Sequence, residues 1–132
     1  MILVDTNVLL DLVTDDAEWA EWSVSRLREC AHLDSLAINP IIYAELSLAF
    51  DQLEELDAAV ADLELEFLEL PKAALFLAAR ALLRYRRRGG GKANVLADFF
   101  IGAHAAVAEF RILTRDSRRY KSYFPTVQLI DP

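Results

Sequence analysis

The pattern that most restricts the fold is a repeated change of period. Short β-type runs break off and give way to segments of helical length and spacing. Ile2–Asp5, Leu36–Ile38, Ile112–Thr114 and Val127–Ile130 read as strands. Leu65–Leu70, where apolar and acidic residues alternate, reads as a further short and exposed strand. Asp15 and Asp16 are N-cap candidates for a helix to about His32, with Trp19, Trp22, Arg26, Leu27 and Cys30 on its apolar stripe. Asn39-Pro40 places Asn at an N-cap and Pro at N1 of a second helix. Asp51–Leu63 continues helical, and Pro71 opens a helix to about Arg88 that Gly89-Gly90-Gly91 ends. Ala97–Phe110 is the last predicted helix. Strands alternating with helices predict βαβ units, an α/β fold with a mainly parallel central sheet and helices on both faces. In such sheets ligands bind beyond the carboxyl ends of the strands.

At 132 residues, one domain spanning 1–132 is expected. A chain that is 55% hydrophobic and 27% charged is neither disordered nor fibrous. The single cysteine, Cys30, suits a reducing compartment and falls on a core stripe. Asp5 interrupts the first apolar run, and Arg80 and Asp98 interrupt later ones, so neither a signal peptide nor a membrane span is expected. A cytoplasmic protein is the resulting expectation.

Charge is divided along the chain. Residues 1–72 carry seventeen acids and three bases, whereas residues 73–132 carry eleven bases and four acids. A basic half on an acidic protein suits a polyanion-binding face, or charges set opposite the acidic half. Arg80, Arg84 and Arg87 form one stripe on the Pro71 helix, away from its apolar positions Ala74, Leu77, Ala78, Ala81, Leu82 and Tyr85.

Four acids fall where strands end or helices begin. Asp5 closes the first strand, and Asp116 lies two residues past Thr114. Glu45 lies in the helix after Leu36–Ile38, and Asp98 in the first turn of its own helix. Gly102 and Ala105 would let that helix lie close to the sheet. Each acid alone has an ordinary structural explanation as a cap, an Asx-turn or an ion-pair partner. Gathered in one pocket, however, carboxylates repel unless cations neutralise them. An all-oxygen site suits hard Mg²⁺ or Mn²⁺, and paired ions can clamp a phosphodiester.

Leu3-Val4-Asp5-Thr6-Asn7, Tyr43-Ala44-Glu45-Leu46, Asp98-Phe99-Phe100-Ile101-Gly102-Ala103-His104-Ala105 and Leu113-Thr114-Arg115-Asp116 occur in that order. With the closing Tyr120, Tyr123-Phe124-Pro125, they resemble a PIN domain of the VapC type. The resemblance implies a PIN-like three-layer α/β/α domain and a Mg²⁺- or Mn²⁺-dependent endoribonuclease. It implies the toxin of a toxin–antitoxin pair, a homodimer inhibited by a small antitoxin, cleaving RNA with a metal-activated water. Asp5, Glu45, Asp98 and Asp116 would be the metal-binding catalytic acids, with Thr6, Asn7 and Thr114 supporting them. Arg80, Arg84, Arg87, Lys92 and Arg115 are candidate RNA contacts, although Arg115, beside Asp116, suits an ion pair equally well.

Other sites fall away. His104 and His32 make no histidine metal cluster and no nucleophile triad, so His104 is read as structural. Gly91-Lys92 lacks the Ser or Thr and the first Gly of a P-loop. A phospho-receiver domain needs adjacent acids after the first strand, but Thr6 follows Asp5. A phosphatase of the haloacid-dehalogenase type needs Asp-x-Asp, but Asn7 holds the second place. A non-catalytic PIN-like interaction module is the remaining alternative. Tyr120, Tyr123 and Phe124 read as core more readily than as a base-stacking platform.

Overall fold

A computed structural model describes residues 1–91 and 95–132 of the chain. Lys92, one of the candidate RNA contacts, lies outside the described residues. The elements run β1 (Ile2–Val4), α1 (Thr6–Val13), α2 (Ala20–Leu33), β2 (Leu36–Ile38), α3 (Pro40–Ser47), α4 (Leu53–Asp62) and β3 (Glu66–Phe67). They continue α5 (Lys72–Arg87), α6 (Leu96–Ala108), β4 (Arg111–Leu113), α7 (Arg118–Tyr123) and β5 (Leu129–Ile130). All strand pairings are parallel, in the order β3-β2-β1-β4-β5. This is the α/β fold with a parallel sheet that the period changes predict.

Strand order reverses at β1, which pairs Ile2 with Leu36 on one side and Val4 with Leu113 on the other. The chain moves from β1 to β3 in one direction and from β3 to β5 in the other. Right-handed crossovers therefore send the two sets of connecting helices to opposite faces. The carboxyl ends of β1 and β4 form the switch point, where open α/β sheets carry their ligands. Ile2, Leu3, Val4, Ile112 and Leu113 are fully buried there, so the residues just past each strand stand on a rigid base.

Local signals explain most element ends. Asp5 stops β1 and starts α1, because its extended backbone lets its carboxylate accept from the Thr6 N–H at 2.8 Å. Asn39 caps α3 as expected, accepting from the Ile41 and Ile42 N–H groups, with Pro40 in the first turn. Gly89, at φ 79°, supplies the left-handed residue that closes α5. α6 stops at Ala108 rather than Phe110, because Glu109 turns left-handed and Arg111 already enters β4. Asp16 does not cap the long helix. It accepts from the Glu18 and Trp19 N–H groups in a turn ahead of α2, which begins at Ala20. β3 is shorter than the expected strand, and both its residues are exposed. No helix among the described residues is long and apolar enough to cross a membrane.

α6 is buried at every position from Ile101 to Ala105. The Gly102 Cα faces the ring of Phe124 rather than the sheet, and a Cβ there would overlap the ring. Phe124 is itself buried, so the ring has little room to retreat. Gly102→Ala is expected to cost about 1–3 kcal/mol in chemical denaturation, as overpacking does.

Candidate active site

Asp5 lies at the switch point, only 5% exposed. Its Oδ2 accepts from the Thr114 hydroxyl at 2.8 Å and the Tyr120 hydroxyl at 2.8 Å, and its Oδ1 from the Thr6 N–H. Burial pushes its carboxyl up to about 6 despite those bonds, and the negative charge of Asp98 adds to the rise. Thr6 connects Asp5 to the next acid, because its hydroxyl donates to Glu45 Oε1 at 2.5 Å. Asn7 ties α1 to the end of β4, donating to the Thr114 hydroxyl at 3.2 Å and accepting from the Arg115 N–H. Thr6, Thr114 and Tyr120 thus touch the acids through their hydroxyls, and Asn7 Nδ2 reaches Asp5 Oδ2 at 3.5 Å.

Asp98 enters from the first turn of α6 and is about a third exposed. Burial raises its carboxyl, against which Arg119 acts, donating from Nη1 at 2.7 Å. Asp116 is more open and is gripped by Arg118 through both carboxylate oxygens at 3.1 Å. Hydrogen bonding from Arg118 holds its carboxyl below the usual range. Asp98 and Asp116 share a cleft of about 300 Å³ with Tyr85, Arg118, Arg119, Ser122 and Tyr123. Asp5 and Glu45 do not line that cleft, yet each acts electrostatically on Tyr120, as Asp98 does. The structure thus brings the acids together as two pairs, Asp5 with Glu45 through Thr6 and Asp98 with Asp116 in the cleft. Among the described residues, no three His, Cys, Asp or Glu side chains are arranged to hold a metal ion.

A hard divalent cation fits this donor set in kind. The available ligands are all carboxylate oxygens. The deepest of them, Asp5, has its carboxyl raised by burial, with the charge of Asp98 adding to the rise. In placement the fit requires Arg119 and Arg118 to yield their carboxylates.

The basic candidates separate. Arg115 is bound twice to the buried Asp11, Nε at 2.9 Å and Nη2 at 3.1 Å, and lies over Trp19. Of the two roles open to it in the sequence, its guanidinium takes that of an ion-pair partner, with Asp11 rather than the adjacent Asp116. Arg80 lies over Phe76. Arg84 reaches the cleft rim, over the Tyr123 ring and donating to the Tyr123 carbonyl, and Arg88 lies over the same ring. Arg87 is exposed.

Sequence reasoning missed Arg118, Arg119 and Tyr120 as site residues. A signal for Tyr120 existed, since a tyrosine in a core position must find a partner for its hydroxyl. His104 is buried and its Nδ1 meets Asn39 Nδ2 at 3.2 Å, while burial lowers its pKa. It joins α6 to the cap of α3 and is structural, as expected.

A family model described as PIN domain matches residues 2–124. No curated protein matches the chain. Among solved structures, VapBC2 from Rickettsia felis bound to a DNA fragment from its promoter superposes with a TM-score of 0.76 at 19% identity, covering 100% of this chain and 99% of that one. VapBC-1 from nontypeable Haemophilus influenzae gives 0.73 at 19%, covering 99% and 98%. DNA-bound VapBC from Salmonella typhimurium gives 0.72 at 22%, covering 98% and 96%. At these identities the likeness is one of fold.

Proposed function

The chain belongs to the PIN-domain family, and on that premise we propose that it is an endoribonuclease dependent on Mg²⁺ or Mn²⁺, a toxin of the VapC type. A small antitoxin inhibits it, and it acts in the cytoplasm as a homodimer. The observation that carries this reading is Asp5: a carboxylate buried at the switch point, under the field of Asp98. The likeness in fold to the toxin–antitoxin complexes supports the antitoxin partner.

Asp5, Glu45, Asp98 and Asp116 would hold the cations. When bound, these supply Lewis-acid charge to a phosphodiester and make water a competent nucleophile near neutral pH. Thr114, Tyr120 and the Thr6 N–H orient Asp5 and keep water from its buried oxygen. Thr6 orients Glu45. Arg84 and Arg88, laid on Tyr123 at the rim, offer positive charge to the RNA backbone. Arg80 and Arg87 are proposed as further RNA contacts, and Lys92 is kept as one from its charge alone.

The arginine pairing of Asp98 and Asp116 favours one second reading, a PIN-like interaction module without catalysis. One experiment separates the two. Antitoxin-free protein is incubated with a pool of cellular RNA in Mg²⁺ or in EDTA, and the new ends are sequenced. Ends bearing 5′-phosphate, present with Mg²⁺ and absent both in EDTA and with Asp98→Asn, are expected. Intact RNA in every lane would favour the interaction module.

A further inference from the structure

We propose that Arg119 is a built-in substitute for the cation: its guanidinium neutralises Asp98 in the metal-free protein and is exchanged for the ion on binding. The inference rests on the nuclease reading and concerns how this chain regulates access to that site.

Three observations carry it. First, Arg119 Nη1 meets Asp98 Oδ2 at 2.7 Å, the shortest arginine–carboxylate contact among the described residues. It stands at the acid that shares the cleft with Asp116 and raises Asp5. Second, both partners are about a third exposed, so the pair is reachable by solvent ions rather than sealed in the core. The Arg115–Asp11 pair, by contrast, has an acid that is only 2% exposed. Third, while paired with Asp98 the Arg119 guanidinium also lies 5.6 Å from the centroid of the Tyr85 ring, which lines the same cleft. That cation–π contact does not depend on Asp98 and can keep the charge close by once the carboxylate is given up.

The physical logic is mutual exclusion. The Asp98 oxygen that accepts from Arg119 would have to share its lone pairs and its charge with a divalent ion a few ångströms from a fixed guanidinium. Like charges that close repel, so the two states compete. The metal-free protein is thereby spared an unneutralised Asp98 beside Asp5, at a cost in ion affinity. By linkage, whatever weakens the guanidinium's hold tightens the ion's. Arg119 acts on the ion through Asp98 and is a positioning residue. Arg118 holds the more exposed Asp116 and is the weaker restraint, because its own side chain is 90% exposed.

The test is Mn²⁺ binding by calorimetry to the full chain, antitoxin-free, for the natural protein, Arg119→Gln and Arg86→Gln. Arg86 is an exposed arginine of α5 and controls for loss of one positive charge. Arg119→Gln is expected to bind Mn²⁺ roughly 5- to 50-fold more tightly. Arg86→Gln should stay within about twofold, as an exposed, screened charge outside the cleft lining would. An Arg119→Gln affinity equal to or weaker than the natural one overturns the exchange while leaving the metal reading intact. Equal tightening by Arg86→Gln overturns it too, since the effect is then one of net charge. Absence of Mn²⁺ binding in all three proteins overturns the nuclease reading itself. Should Arg119→Gln fail to fold, the natural protein decides: the Arg119 Nε–H resonance must move on saturation with Mg²⁺, and a resonance unchanged while Mg²⁺ binds refutes the exchange.

Discussion

Arg115→Ala is expected to lower the stability of the fold by about 3–5 kcal/mol in urea denaturation, near the lower figure because Arg115 is partly exposed. Asp11 is the reason. It is an acid within the apolar run of α1, 2% exposed, and accepts from Arg115 through both oxygens and from the Ser23 hydroxyl at 2.7 Å. Removing the guanidinium strands a buried carboxylate with one hydroxyl for company, and the deficit is the desolvation of that charge. The pair also fastens the segment after β4 to α1 and α2, so the Thr114–Asp116 turn beside the candidate site loses its brace. The double substitution Asp11→Leu with Arg115→Met should recover most of the loss, because no charge is then left buried. If Arg115→Ala instead retains full stability and merely weakens RNA binding, the ion pair is incidental.

Asp5→Asn is expected to move activity and stability in opposite directions. Cleavage should fall by at least roughly 10²-fold, on the scale seen when one preorganised electrostatic group is removed. The amide keeps an acceptor for the Thr6 N–H, and Thr114 and Tyr120 hydroxyls can accept from its nitrogen. The fold therefore survives, and in EDTA it should gain stability. The sign comes from the carboxyl's position: its pKa is about 6 in the folded chain, above the ordinary 3.8. The folded state holds this proton more tightly, so the metal-free protein is most favoured below about pH 4 and loses stability as pH rises to 6. A shift of about two pKa units corresponds to at most about 3 kcal/mol, flat above that window. Asp5→Asn should abolish this slope. A natural protein whose stability between pH 4 and 7 is unaffected by the substitution would show that Asp5 is better solvated than its burial suggests.

Particular residues show how far the fold is legible in the sequence. The strands are readable because β-type runs end at Asp5 and Thr114, and α3 because Asn39-Pro40 is an unambiguous start. α1 is not, since Asp5 serves as strand end and cap at once, and no turn residue separates the two elements. α7 is not either: its six residues carry no side-chain cap and too few apolar positions for a period. That omission hides Arg118, Arg119 and Tyr120, because their approach to Asp116, Asp98 and Asp5 exists only once α7 is formed. The placement of the acids at strand ends and helix starts is legible, and the structure shows Asp98 and Asp116 sharing one cleft while Asp5 and Glu45 are linked through Thr6. The arginines between them are not, since an ion pair across twenty-one residues of chain leaves no local mark.

The decisive measurement is anomalous scattering from crystals of the antitoxin-free protein grown with Mn²⁺. A manganese peak in coordination contact with Asp5 and Asp98 is expected, with Arg119 withdrawn from Asp98. Well-ordered side chains with Asp98 still bound to Arg119, and no manganese near any of the four acids at millimolar Mn²⁺, would contradict the metal-dependent nuclease.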